Sequence, residues 1–125
     1  MKKIETFEGA CKALKVNPSA LPDVSAVPKK YRKRMIADYK LMIITEAINA
    51  GWQPDWNDIN EYKYYPWFRI GADKNRPSGF GFSYPGYDSA NSYTTVGSRH
   101  CFKTREMALY AAEQFEELYK DWHLS

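Results

Sequence analysis

Two periodicities divide the chain. Up to Gly51 the apolar residues recur at helical spacing, and beyond Asn60 they alternate. Ile4, Phe7, Cys11 and Leu14 fall at i, i+3, i+7 and i+10, which predicts a short amphipathic helix over residues 4–15. Gly9 weakens that helix by up to about 1 kcal/mol relative to alanine. Asn17-Pro18 ends it, because a residue before proline avoids the helical region. Pro18, Pro22 and Pro28 punctuate a connector over 16–28, in which Leu21, Val24 and Val27 are expected to pack against the body.

Pro28 suits the first turn of a second helix, where a missing N–H costs nothing. This helix is expected over 29–50 and stops at Gly51, a natural residue just past a helix end. Tyr31, Met35, Tyr39, Met42, Ile43, Ala47 and Ala50 make its apolar face, widened by Leu41, Ile44 and Ile48. Glu46 points between Tyr39 and Met42 on that face, and a buried carboxylate needs a partner or a raised pKa. Glu46 is therefore the candidate for a buried polar pair with an arginine, a lysine or a tyrosine hydroxyl. The sharper reading, a catalytic acid, lacks a second carboxylate or histidine placed to work with it.

The period switches inside an aromatic stretch, residues 52–68, which holds Trp52, Trp56 and Trp67 with Tyr62, Tyr64, Tyr65 and Phe68. A strand over 61–70 would carry Tyr62, Tyr64, Pro66, Phe68 and Ile70 on a core face. Its other face would carry Glu61, Lys63, Tyr65, Trp67 and Arg69. Residues 71–79 read as a hairpin loop, 80–84 as a second strand, and 98–102 as a third strand after a long polar loop over 85–98. That loop has room for a short strand near 93–96. Thr104 is a good N-cap with Glu106 in the first turn. Met107, Ala108, Ala111, Ala112, Phe115, Leu118, Tyr119 and Trp122 then form one continuous stripe, expected to cover the sheet. The predicted fold class is α+β: two N-terminal helices, a three-stranded antiparallel sheet, and a C-terminal amphipathic helix packed on it.

At 125 residues the chain reads as one domain, a helical arm over 1–50 followed by the meander and its helix over 51–125. An aromatic content of 16% argues against disorder, and a net charge of +3 permits an anionic partner without requiring one. Cys11 and Cys101 read as two reduced, buried thiols. The N-terminal residues lack the apolar run of a signal peptide, and no segment reaches the ~20 apolar residues of a membrane span. The expected location is the cytoplasm, away from membranes. There is no phosphate-cradling glycine loop and no Cys/His metal spacing. His100 and Cys101 would point to opposite faces of a strand, which disfavours a nucleophile pair. Asp55, Asp58 and Glu61 read as a solvated turn with capping carboxylates rather than a cation site. No catalytic residue, metal or cofactor is assigned, and an enzyme is not expected.

One combination stands out: cations interleaved with aromatic rings. Lys63, Tyr65, Trp67 and Arg69 share a strand face, with Lys74 and Arg76 in the adjacent loop. Lys29, Lys30, Arg32, Lys33 and Arg34 crowd the start of the second helix, where cations oppose the helix dipole. Rings stack bases while cations hold phosphates, so this set could bind nucleic acid. The competing readings are a strand face covered by a helix or a second copy, and a solvated helix end.

SRHCFKTREMALYAAEQFEELYKD, with GWQPDW and KYYPWF, resembles a group of small uncharacterised proteins encoded by phages and mobile elements of gut bacteria. The resemblance spans roughly residues 50–122 and carries no activity with it. FKTREMA, residues 102–108, resembles the strand-to-helix junction of the N-terminal DNA-binding domains of tyrosine integrases. Those are three-stranded antiparallel sheets backed by one helix, and the sheet reads DNA. Two functions are therefore expected. The first is a non-catalytic interaction protein that binds a protein partner, or itself, through an aromatic surface. The second is a nucleic-acid-binding module using the aromatic and basic sheet face.

Overall fold

Helix α1 (Phe7–Leu14) starts later than the apolar spacing predicts, because Thr6 Oγ1 accepts the Gly9 N–H at 2.9 Å and caps it there. Lys15, at φ 58°, closes the helix, and the Val16 N–H reaches the Cys11 carbonyl at 2.9 Å. The computed structural model describes residues 3–70, 80–81, 87–90, 92 and 94–125. The connector after α1 is held by its own turns. Asn17 and Asp23 accept the Ser19 and Ser25 N–H groups, each at 2.9 Å. Its Leu21 is exposed rather than packed.

Helix α2 (Lys29–Asn49) ends as expected, with Ala50 at φ 49° and Gly51 at φ 94° in left-handed conformations. Its buried stripe is not the one that the aromatic residues suggest. Ala37, Leu41, Ile44, Thr45, Ile48 and Asn49 are buried, while Tyr31 and Met35 are exposed. Phe7 of α1 meets Tyr39 edge-on at 6.5 Å on another side of the helix. The first helix thus joins the main core instead of forming an arm: Phe7, Ala10 and Cys11 cluster with Leu41, Ile44, Phe102, Ala108 and Phe115.

The strands are short. β1 (Lys63–Pro66) pairs antiparallel with β4 (Tyr87–Ala90), and β2 (Arg69–Ile70) with β3 (Phe80–Gly81). On the other edge of β1, the predicted third strand shrinks to one bridge. The Tyr64 N–H donates to the Phe102 carbonyl at 3.0 Å and the Phe102 N–H to the Tyr64 carbonyl at 2.7 Å. Ser98–His100 is a 3₁₀ turn. The α+β prediction of a three-stranded meander is therefore overturned. The described residues form two two-stranded ribbons and one bridge, and helices carry most of the fold. The strand at 98–102 fails because its residues turn toward α2. Asn49, buried at the end of α2, donates Nδ2–H to the Cys101 carbonyl at 2.8 Å and accepts the Lys103 N–H on Oδ1 at 3.1 Å. A side-chain amide thus takes the place of a further strand.

The C-terminal stripe is a second correction. It makes two helices, α3 (Arg105–Gln114) and α4 (Glu116–Leu124), separated at Phe115 with φ −116° and ψ 32°. Thr104 caps α3 as expected, accepting the Met107 N–H at 3.1 Å. The break splits the stripe between two neighbours: α3 packs on β1 and α4 on α2. Ala108, Ala111, Ala112, Phe115 and Tyr119 are buried along it.

Replacing Asn49 with alanine leaves the buried Cys101 carbonyl and the part-buried Lys103 N–H without their partner. At ~1–3 kcal/mol for the buried carbonyl and less for the wetter N–H, Asn49→Ala is expected to lower stability by about 2–4 kcal/mol. A urea melt should show a lower midpoint with an unchanged slope.

Candidate interaction surface

Between α2 and β1 lies a compact loop, residues 52–62, built by side chains folding onto backbone. Asp55 Oδ1 accepts the Asn57 N–H and Asp58 Oδ1 the Asn60 N–H, each at 2.9 Å. Glu61 Oε1 reaches back to the Asp55 N–H at 2.8 Å. Two backbone turns, Asp58 N–H to Asp55 carbonyl and Glu61 N–H to Asp58 carbonyl, run through it at 3.2 Å each. Trp56 Nε1–H donates to Ser98 Oγ at 2.7 Å, tying the loop to the 3₁₀ turn.

Lys63 holds this loop from beneath. It is 0% exposed. Its Nζ donates to the Asp58 carbonyl at 3.0 Å, lies 3.5 Å from Glu61 Oε1, and sits 5.1 Å from the centre of the Trp56 ring. A buried ammonium is costly unless paired and hydrogen-bonded, and here the loop wraps it with acceptors. Two residues of the loop face outward instead: Ile59 is 63% exposed and Tyr62 54%.

Of the predicted aromatic and basic strand face, the side chains described are those of Lys63, Tyr65 and Trp67. Lys63 is buried, Tyr65 half-buried, and Trp67 41% exposed. Arg69 contributes backbone to β2, and Lys74 and Arg76 lie outside the described residues. In the helical cluster, Lys29, Lys30, Lys33 and Arg34 are exposed. Lys30 lies 5.0 Å from the Tyr31 ring, and Lys33 lies 3.5 Å from Asp121. Arg32 is structural: Nε–H donates to the Val27 carbonyl at 2.7 Å and Nη2–H to the Ser25 carbonyl at 2.9 Å, pinning the connector to α2.

Glu46 is exposed, which overturns its reading as a buried pair. It stands two residues, about 200°, from both Ile44 and Ile48, so the true core stripe turns it outward. It lines an open cleft of about 720 Å³ with Trp52, Gln53 and Arg99.

A different polar pair, between buried His100 and partly exposed Asp38, was missed by sequence reasoning. His100 Nε2 and Asp38 Oδ1 are 2.8 Å apart, and the His100 ring stacks on Trp122 with centroids 4.2 Å apart. Residues 62 positions apart leave no local signal for such a pair. His100 is 5% exposed, and its Nδ1 is buried with no hydrogen-bond partner. Burial pushes its pKa down, and Asp38 opposes the shift. His123, beside Trp122, is pushed down by burial and by the charges of Arg34 and His100. Burial lifts the Cys101 thiol to about 11, against the pull of Thr94 and Lys63, and its Sγ contacts the Gly97 carbonyl at 3.3 Å. Such a thiol stays protonated at neutral pH and is a poor nucleophile.

Among the described residues, no group of three or more His, Cys, Asp or Glu side chains could hold a metal ion. None of the helices described is long and apolar enough to cross a membrane. No protein-family model matches the chain, and neither a curated protein nor a solved structure does.

Lys63→Met is expected to free the loop while leaving the helices folded. Amide exchange at residues 55–61 should quicken, with a stability loss of about 1–3 kcal/mol from the lost ammonium hydrogen bond to the Asp58 carbonyl. His100 generates a pH dependence. Its folded pKa lies below the unfolded value of 6.5, so the unfolded chain binds the proton first as pH falls. Stability should be full above that value and decline below it, by at most about 1.4 kcal/mol per pH unit. His123 has the same sign. Chemical denaturation across this range should show a shallower decline in His100→Asn than in the natural protein.

Proposed function

We propose that the protein is a non-catalytic binding module that docks a protein partner through the 52–62 loop. The carrying observation is Ile59, 63% exposed on a loop held rigid by a fully buried lysine. A preorganised loop loses little entropy on binding, and an exposed apolar anchor supplies the contact energy. Exposed Asp55 and Asp58 flank that anchor, so the fitting partner offers an apolar pocket with a basic rim. Nucleic acid has weaker support, because the buried Lys63 removes the central cation from the proposed base-stacking face.

The test is affinity capture from nuclease-treated host lysate. A protein retained by the natural chain should be lost with Ile59→Asp, through an affinity drop of at least about tenfold. The melting temperature should not move, since Ile59 makes no core contact. Retention of the same protein by Ile59→Asp would sink the proposal, as would salt-sensitive oligonucleotide binding unaffected by it.

A further inference from the structure

A separate pocket of about 500 Å³ opens where α1, the C-terminal end of α2 and the start of α3 meet. Ile4, Ala13, Ala47, Ile48, Met107 and Tyr110 make its walls. Its size is that of a small-molecule site, and its lining is apolar. The walls are fixed. The Tyr110 hydroxyl donates to the Ile4 carbonyl, and Gln114 Nε2–H donates to the Glu5 carbonyl at 2.8 Å, so the segment before α1 is tied down on α3. Gly9 keeps one side open. A Cβ there would meet Thr6 Oγ1 at 3.2 Å and no other atom within contact range.

The charged groups lining the pocket are Lys3, Lys12 and Glu106. Glu106 already faces Arg105, with Nε to Oε1 at 3.3 Å. Lys3 lies over the Tyr110 ring, 4.6 Å from its centre, which keeps its ammonium beside the opening. The site therefore pairs an apolar interior with two lysines, Lys3 and Lys12, in its lining, while its lining carboxylate, Glu106, already faces Arg105.

We infer that this pocket binds a free aliphatic monocarboxylate, with the chain among Ile48, Met107 and Tyr110 and the carboxylate between Lys3 and Lys12. Apolar burial supplies affinity, and the two ammonium groups select an anionic head.

Decanoate is the probe, and the ¹³C-methyl resonance of Met107 is the reporter. The resonance should shift saturably with a single site. Decanol, which has the same chain without the charge, should bind at least about tenfold more weakly. The double variant Lys3→Gln/Lys12→Gln should lose about the same factor for decanoate and nothing for decanol. Ala13→Phe fills the pocket from an exposed position of α1 and should abolish the shift without lowering the melting temperature. Equal binding of decanol and decanoate would overturn the inference, and so would undiminished binding by Ala13→Phe. Capture by phosphatidylglycerol vesicles with no response to free decanoate would also overturn it, pointing to a membrane surface instead.

Discussion

The fold depends on how one stretch of backbone, Cys101 to Lys103, is satisfied on both of its edges. Phe102 exchanges both backbone hydrogen bonds with Tyr64 on one side. Asn49 takes the carbonyl before it and the N–H after it on the other. Unpaired backbone groups in the interior are expensive, so this short segment can be buried only where both sets of partners arrive together. That requirement locks the end of α2, the first ribbon and the start of α3 into one arrangement. Phe102 then lies in the middle of the core, with Ile44, Ala108 and Phe115 in the same cluster.

A second junction forms one layer away. Asp38 of α2, His100 of the 3₁₀ turn and Trp122 of α4 meet in one stack. Tyr119 and Thr45 lie buried in the same interior without hydrogen-bond partners for their hydroxyls. Burial drives the Tyr119 phenol well above its ordinary value. The interior is thus apolar toward α1 and α3 and partly polar toward α4. That contrast places the titrating groups at the α2–α4 contact, away from the apolar pocket near α1.

Local signals in the sequence were good guides. The Thr104 cap, the stop of α2 near Gly51 and the end of α1 before Pro18 all depend on a few neighbouring residues, and the structure has them. Long-range partners were not legible. The bulky Tyr31 and Met35 suggested one face for α2, but the neighbours of α2 meet its Ala37, Leu41 and Ile48 face instead. Glu46 followed that misplaced face and proved exposed. Lys63 looked like a solvent-facing cation because strand alternation put it beside Trp67. The acidic residues Asp58 and Glu61 just before it were the available hint that the loop folds back to enclose it. His100 and Asp38 carry no such hint, since only the packing of the 3₁₀ turn on α2 brings them together.

The interruption at Phe115 has a consequence for how this chain can change. In an unbroken helix, stripe residues keep their phase from end to end. Here α3 and α4 address different neighbours across a single non-helical residue. Adding or deleting one residue after the joint would rotate Tyr119 and Trp122 by about 100° relative to α3. Trp122 would leave the His100 ring, and Tyr119 would turn out of the core. The spacing between Phe115 and Trp122 is therefore constrained by length as strictly as the core is by composition, although most side chains in between face water or lie only partly covered.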